Sequence, residues 1–254
     1  MYCLALIATV TSLFLINASL FASDTDDRIE STAKQSYVFK TYLKGDDIDI
    51  QAKDGVVTLT GTVSEESHIP LARETLASMP GVKSVDNKLE VKDEASATGN
   101  DMWLVNKVKF TLFFHRNVSA AKTEISAKEG VVTLRGEASS LAQKDLTAEY
   151  AKDVDGVKDV QNEMTVATTA GGKTMGEKME NIGETIDDMS ITAMVKTTLM
   201  YHRSTSALKT TVVTKDGVVT LGGTAKSAAE KALAAKFVSD VHGVKKVINN
   251  MTVG

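Results

Sequence analysis

Side chains that could do covalent or metal chemistry are scarce in this chain of 254 residues. The single cysteine, Cys3, lies in an uncharged N-terminal stretch, so the rest of the chain has no thiol for catalysis, a disulfide or a zinc thiolate site. His115-Arg116 and His202-Arg203 follow two predicted helices, where a cation is favoured. One histidine per site is too few for a metal centre. The sequence therefore predicts no enzyme activity and no cofactor.

The chain is dominated by a repeated segment, and its basic residues are best considered within that repeat. The motif Gly-Val-Val-Thr-Leu occurs at 55–59, 130–134 and 217–221. Three further landmarks recur at constant offsets from it: Gly61, Gly136 and Gly223; Gly81, Gly156 and Gly243; and Asn87, Asn162 and Asn249. This register predicts one module used three times. We call residues 26–92, 101–166 and 188–254 modules 1, 2 and 3, and expect them to be compact and separable, with linkers at 93–100 and 167–187.

Module 2 shows the secondary-structure pattern most clearly. Leu104, Val108 and Leu112 recur every four residues and predict an amphipathic first helix. Two alternating segments then flank Gly130, which suits a hairpin because glycine tolerates positive φ. A second helix and a third strand follow, and the strand–helix–strand half requires a right-handed crossover. The predicted fold class is α+β: three tandem modules, each helix–strand–strand–helix–strand, with a three-stranded mixed sheet and two helices on one face.

Two sets of glycines are predicted to be structural. The turn glycines are Gly55, Gly130 and Gly217, and the glycines that end the second strands are Gly61, Gly136 and Gly223. The first helix of module 1 fits the pattern least well. Placing Lys40 opposite Lys109 and Lys196 leaves Lys34 at an apolar position and predicts a shorter loop to the first strand in this module.

The full set of landmarks resembles the BON domain family. The matching segments are 55–61 with 81–87, 130–136 with 156–162, and 217–223 with 243–249. The resemblance covers nearly all of the chain after its N-terminal stretch. It implies a periplasmic, non-enzymatic role in envelope or osmotic stress, with binding to phospholipid membranes, and it carries no catalytic residues.

The N-terminal stretch predicts export. Residues 4–22 contain no charge and Asp24 follows closely, which is typical of a signal peptide over residues 1–22. The alternative is an uncleaved N-terminal membrane anchor, since ~18 apolar residues can span a bilayer. Both interpretations place the modules outside the cytoplasm, and we expect them in the periplasm.

The charge of the modules differs although their numbers of basic residues are equal. Module 1 has nine basic and twelve acidic side chains, module 2 has nine and ten, and module 3 has nine and four, a net +5. Anionic lipid surfaces attract Lys and Arg by about 1 kcal/mol each, so module 3 is the predicted membrane-binding module. Its candidate residues are Lys196, Arg203, Lys209, Lys226, Lys231, Lys236, Lys245 and Lys246. Lys196 and Arg203 rank first because a seven-residue spacing would place them on one helix face.

Two functions remain open on the sequence. The first is binding of anionic phospholipid surfaces, and the alternative is a protein-interaction or chaperone-like scaffold for envelope proteins without lipid binding. Trp103, Phe110 and Phe114 form a second apolar face on the first helix of module 2. That face is expected to pack against another module, although it could also serve as a binding surface. Nucleic acid is not an expected partner of an exported, net-acidic chain.

Overall fold

The computed structural model describes residues 24–92, 100–118, 120–167, 185–205 and 210–254. The predicted signal peptide and most of both linkers lie outside these residues. Module 1 consists of α1 (24–35), α2 (Tyr37–Thr41), β1 (Asp47–Lys53), β2 (Val56–Val63), α3 (His68–Ala77) and β3 (Ser84–Val91). Module 2 consists of α4 (Asn100–Phe114), β4 (Thr123–Lys128), β5 (Val131–Ala138), α5 (Leu141–Asp153), β6 (Asp159–Asn162) and β7 (Thr165–Val166). Module 3 consists of α6 (Asp188–Tyr201), β8 (Thr210–Lys215), β9 (Val218–Ala225), α7 (Ala228–Ser239), β10 (Lys246–Asn249) and β11 (Thr252–Val253).

The α+β class is confirmed, because the second strand of every module lies at the centre of a mixed sheet. That strand pairs antiparallel with the first strand and parallel with the third. In modules 2 and 3 the third strand is divided into two short pieces, and both pieces pair with the central strand. The division falls at the landmark asparagine. Asn162 accepts the Met164 amide at 3.2 Å and donates to the Lys144 carbonyl at 2.9 Å, which ties the strand to α5.

The three hairpins have one geometry. In each, the turn glycine and the residue before it have positive φ, as in Asp216 (53°) and Gly217 (77°). Positive φ at both central residues is typical of a type I′ turn, whose twist matches the flanking strands. An aspartate at the start of the first helix binds the turn: Asp188 accepts the Asp216 and Gly217 amides at 2.7 and 2.8 Å. Asp26 and Asp101 do the same in modules 1 and 2.

These aspartates correct the alignment of module 1. Each lies 29 residues before its turn glycine, so the distance from the first helix to the hairpin is constant. Lys34, not Lys40, therefore corresponds to Lys109 and Lys196. The loop to the first strand is shorter in module 1, as predicted, because α2 continues the helix to Thr41. The real peculiarity of module 1 is a break at Ser36, which has an extended backbone and divides the helix into α1 and α2.

The break in module 1 is held by module 3. The freed amides of Tyr37 and Val38 donate to Asp187 Oδ2 (2.8 Å) and Ser190 Oγ (3.0 Å) at the start of α6. Such partners are needed because an unpaired buried amide is costly. The buried apolar side chains of modules 1 and 3 form one continuous cluster, which also includes Phe110 of module 2. Modules 1 and 3 thus share a core, and whether they separate stays a prediction.

Candidate lipid-binding face and the junction between modules

The two first-ranked basic residues are engaged inside the molecule. Lys196 Nζ lies 3.2 Å from Glu74 Oε2 of module 1, and only 29% of its side chain is exposed. Arg203 lies beyond the end of α6 at Tyr201, so the predicted shared helix face does not exist. Its guanidinium donates to the Lys152 carbonyl and, at 3.2 Å, to the Val157 carbonyl of module 2. Both side chains are therefore held in contacts with another module, although that of Arg203 stays 44% exposed.

The other candidates divide between two sides of module 3. Lys226, Lys231 and Lys236 lie on or next to α7, and Lys231 donates to the Met251 carbonyl. Lys245 and Lys246 lie at the start of the last strand, on the sheet side, and both are exposed. Lys245 donates to the Asp216 carbonyl of the hairpin at 3.2 Å, as Lys83 and Lys158 do in modules 1 and 2. Lys209 lies outside the described residues.

The side of the module 3 sheet that faces away from the helices forms an exposed surface. Strand registers place Val213, Thr220 and Ile248 in one row across it, and Lys215, Val218 and Lys246 in the next. Val213 and Ile248 are 64% and 39% exposed. The remaining outward positions are neutral: Thr211, Gly222, Thr224, Asn250 and Thr252. We call the eleven residues of these rows and positions the outward face of module 3.

The corresponding rows of the other modules carry acids, and the aliphatic side chains in them are Val131, which is half-buried, and Val56, which is 43% exposed. In module 2, Ser126, Thr133 and Gln161 form the middle row, and Lys128, Val131 and Asp159 form the next. In module 1 the same rows are Gln51, Thr58 and Asp86, and Lys53, Val56 and Ser84. Further outward acids are Asp49 and Glu90 in module 1, and Glu124, Glu137 and Glu163 in module 2. Among the outward sheet faces of the three modules, that of module 3 is thus the one that is basic and apolar without acids.

Sequence reasoning missed Val213, Lys215 and Ile248 because it sought cations rather than a face. The signal was present in the strand alternation. Along β8 and β9 alternate side chains face the core, as the buried Val212 and Val219 do. The side chains between them must therefore point outward. Comparing the outward positions among the three copies would have revealed the surface.

The aromatic side chains of α4 pack against the other modules, as the sequence favoured. Phe110 and Phe114 are buried, and their rings contact Tyr42 of module 1 and Tyr201 of module 3. Trp103 stays 40% exposed, with Lys107 Nζ 4.5 Å above its ring. Only Trp103 of this group remains available at the surface.

Modules 2 and 3 meet in a reciprocal junction, in which the end of each first helix contacts the end of the other module's second helix. The Arg116 amide donates to the Asp240 carbonyl at 2.8 Å, and the Arg203 amide donates to the Asp153 carbonyl at 2.9 Å. Two further backbone hydrogen bonds repeat the exchange. The His242 amide donates to the Phe114 carbonyl at 3.0 Å, and the Asp155 amide donates to the Tyr201 carbonyl at 2.9 Å. These pairs are related by the repeat, so the junction has an approximate two-fold axis.

Both arginines reinforce the junction by binding carbonyl oxygens at helix ends. Arg116 donates to Ser239 and Val241 at 2.8 and 2.9 Å, and also to Val244. Carbonyls at a helix C-terminus lack partners within the helix, so a guanidinium from another module satisfies them and complements the helix dipole. The sequence interpretation was correct that cations lie near helix ends, but the relevant helix ends belong to the other module.

Two buried histidines lie on the approximate axis. His115 Nε2 and His202 Nε2 are 3.3 Å apart, and each residue is 1% exposed. His115 stacks on Tyr150, and His202 stacks on Phe237, both with ring centroids 4.0 Å apart. Burial, with the neighbouring His202 and His242, holds the pKa of His115 well below its usual range. The prediction of a cation at a helix end was therefore wrong for His115.

One difference breaks the symmetry of this site. His202 Nδ1 lies 3.1 Å from Asp153 Oδ2, whereas the related Asp240 binds the hydroxyl of Tyr150. Module 3 has Phe237 at the position of Tyr150, so no tyrosine hydroxyl competes for Asp153, whose other oxygen accepts from the Ser204 hydroxyl. As a result, His115 Nδ1 is buried without a hydrogen-bond partner. Burial raises the pKa of Asp153, but bonds from His202 and Ser204 outweigh it and hold that pKa below its ordinary value.

Two kinds of feature are absent from the described residues. Among residues 24–92, 100–118, 120–167, 185–205 and 210–254, no group of three or more histidine, cysteine or acidic side chains converges as metal ligands. Within the same ranges, no helix combines the length and apolar character needed to cross a bilayer.

Comparison with known proteins identifies the repeat. The family model described as BON domain matches residues 25–93, 100–168 and 187–254. Osmotically-inducible protein Y of Escherichia coli is 33% identical over 143 residues, which cover 55% of this chain and 71% of that protein. A 21 kDa hemolysin of Actinobacillus pleuropneumoniae is 30% identical over 128 residues, covering 50% of this chain and 60% of the hemolysin.

Solved structures add little. The C-terminal domain of CdsD, a structural protein of the type III secretion system of Chlamydia trachomatis, aligns over 90% of this chain and 96% of its own. The identity is 15% and the TM-score 0.24. That likeness is too low to support an argument about this chain.

Proposed function

Because this chain belongs to the BON domain family and contains three BON domains, we propose that it is a non-enzymatic protein of the cell envelope that binds anionic phospholipid surfaces through module 3. The name of its E. coli relative supports a role under osmotic stress. The predicted export signal supports a periplasmic location.

One observation carries the proposal: the outward face of module 3. Lys215 and Lys246 flank the exposed apolar side chains Val213 and Ile248, and no acidic residue belongs to this face. Lysines near an anionic leaflet contribute about 1 kcal/mol each, and exposed aliphatic side chains gain from leaving water. Asp216 lies at the adjacent hairpin turn. Binding is therefore expected to be weak, peripheral and sensitive to salt.

The test exchanges this face for that of module 2. The variant Val213→Ser/Lys246→Asp/Ile248→Gln places the module 2 residues on module 3. Co-sedimentation of the whole chain would use phosphatidylcholine vesicles with and without phosphatidylglycerol. We expect the wild type to bind only the anionic vesicles, and the variant to bind at least about tenfold more weakly, since two units of charge are worth roughly 2 kcal/mol.

Two controls separate the face from net charge. Lys226→Asp makes the same charge change on an exposed lysine at the start of α7, away from the face. It should weaken binding much less than the triple variant. The reciprocal change in module 2, Ser126→Val/Asp159→Lys/Gln161→Ile, should strengthen binding. Equal loss from both lysine changes would mean that only overall charge matters.

The alternative is a protein-binding scaffold. If the wild type does not bind anionic vesicles even at low salt, the lipid proposal is wrong. The outward face would then be tested as a surface for an acidic protein partner, with the same triple variant as the control.

A further inference from the structure

The buried histidine pair has no role in the proposed lipid binding, yet it lies at the centre of the contact between modules 2 and 3. We propose that His115 and His202 form a proton-sensitive latch, which holds the two modules together when His115 is neutral and releases them when it takes up a proton. We call this pair the His115–His202 latch.

The hydrogen bonds define the protonation state that closes the latch. Asp153 accepts a hydrogen bond from His202 Nδ1–H at 3.1 Å, since an ionised carboxylate has no hydrogen to donate. His202 Nε2 lies 3.3 Å from His115 Nε2, so one of these two ring nitrogens donates a hydrogen bond to the other. His115 Nδ1 is left without a partner.

A further proton has no favourable place in this arrangement. On His115 Nδ1 it would create a buried cation whose new N–H finds no acceptor, because Asp240 is bound to the Tyr150 hydroxyl. Separation of the modules exposes the His115 ring to water, where a histidine accepts a proton near pH 6.5. Acid therefore favours the open form.

The charges around the pair decide how strongly acid acts. The groups that face it are Tyr150, Asp153, Asp240, His242, Arg116, Arg203 and Lys236. Arg203 Nε lies 3.8 Å from Asp153, and Asp240 is bound to Tyr150, so both carboxylates already have partners. Burial, followed by the charge of Arg116, lowers the pKa of His242 to about 4, so His242 resists protonation until lower pH.

The direction in which pH changes the stability of the junction follows from proton uptake. The pKa of His115 is depressed in the closed junction, so the open form binds more protons below about pH 6.5. Stability of the junction is fully present above that pH and is lost as the pH falls toward the depressed pKa. Each proton taken up shifts the opening equilibrium by as much as tenfold per pH unit.

The chain contains its own reporter for opening. Trp103 is its single tryptophan, and Lys107 bridges it to the ring of Tyr201 in module 3, at 4.5 and 5.4 Å. The experiment follows tryptophan fluorescence and small-angle scattering of the full chain from pH 7.5 to about 4, with far-UV circular dichroism as a check on the modules themselves. We expect a fluorescence change and expansion below about pH 6, with the dichroism unchanged.

Three variants make the test specific. His115→Phe keeps the stack on Tyr150 but cannot take up a proton, so the transition between about pH 6.5 and 5 should disappear. Tyr150→Phe frees Asp240 to accept from a protonated His115, as Asp153 does with His202, so opening should move roughly one pH unit lower although a hydrogen bond was deleted. His68→Gln, in module 1, should leave the profile unchanged.

Several results would overturn the latch. These are a fluorescence and scattering profile that is flat to about pH 4, an unaltered transition in His115→Phe, or a loss of far-UV dichroism together with opening. If His115→Phe does not fold, Tyr150→Phe decides alone: a junction that opens at the same or higher pH than the wild type contradicts the proposal.

Discussion

On their helix sides, modules 2 and 3 present nearly the same residues to each other: His115-Arg116 and His202-Arg203 at the ends of the first helices, and Asp153 and Asp240 at the ends of the second. On their outward sheet faces the two modules differ at most positions, and only module 3 combines exposed aliphatic side chains with lysines. The residues that set the fold and the junction are thus distinct from those that set the chemistry of the outer surface. Each side can be altered without the other.

The largest effect is expected from a change to the shared framework. A Cβ at Gly136 would lie 2.0 Å from the Lys122 carbonyl oxygen, and its φ is 118°. Because the obstacle is backbone, Gly136→Ala should lower the free energy of unfolding by about 3 kcal/mol or more. Chemical denaturation of the full chain measures it. Gly45→Ala is the matched control, since nothing lies within 4 Å of its added Cβ; equal losses would contradict the steric argument.

The next effect concerns the junction. Arg116→Ala leaves three carbonyls at the end of α7 without their donor, whereas Arg203→Ala removes a partly exposed side chain with two such bonds. We expect a loss of about 2 kcal/mol for Arg116→Ala and about half that for Arg203→Ala. Thermal unfolding of the full chain compares them. Arg116→Lys should recover only part of the loss, because an ammonium cannot span several carbonyls as a guanidinium does. A larger loss from Arg203→Ala would reverse the asymmetry inferred here.

The framework could be predicted from sequence, because its signals are local. The hairpin glycines need positive φ, and the helices and strands follow periods of apolar residues, so module order, sheet class and turn positions follow from the repeat. The recurring aspartate before each hairpin was available in the same way. Asp26 lies as far before Gly55 as Asp101 lies before Gly130, and using it would have prevented the misalignment of Lys40.

The junction and the outward face of module 3 were harder to predict because they depend on contacts between distant residues. A basic residue after a helix has the same local pattern whether it faces solvent or binds another module, so Lys196 and Arg203 were ranked first as lipid ligands. The break at Ser36 depends on Asp187, 150 residues away from the Tyr37 amide that it binds. The net charge of module 3 correctly singled out an unusual module but not the face that carries the difference.

A third prediction tests the reassignment of Lys196. Glu74 is 9% exposed, so Lys196→Glu would place a second carboxylate beside a buried one at the contact between modules 1 and 3. We expect a loss of about 1–2 kcal/mol in stability, below the 3–5 kcal/mol of a fully buried pair because Lys196 is partly solvated and Arg73 also contacts Glu74. Lys109→Glu, at the corresponding exposed position of module 2, should change stability by less than about 0.5 kcal/mol. Similar values for the two variants would mean that the ion pair contributes nothing.

The smallest effect on stability should come from the change with the largest effect on lipid binding. Val213, Lys246 and Ile248 are exposed, and their side chains point away from the helices. Replacing them with the module 2 residues removes β-branched side chains from two strands, which costs a few tenths of a kcal/mol each at most. Val213→Ser/Lys246→Asp/Ile248→Gln should therefore shift the free energy of unfolding by no more than about 1 kcal/mol, measured by the same denaturation. Retained stability with lost vesicle binding would separate surface from framework. A loss near that of Gly136→Ala would show that the outward face also supports the fold, and the contrast between the two sides of the modules would then fail.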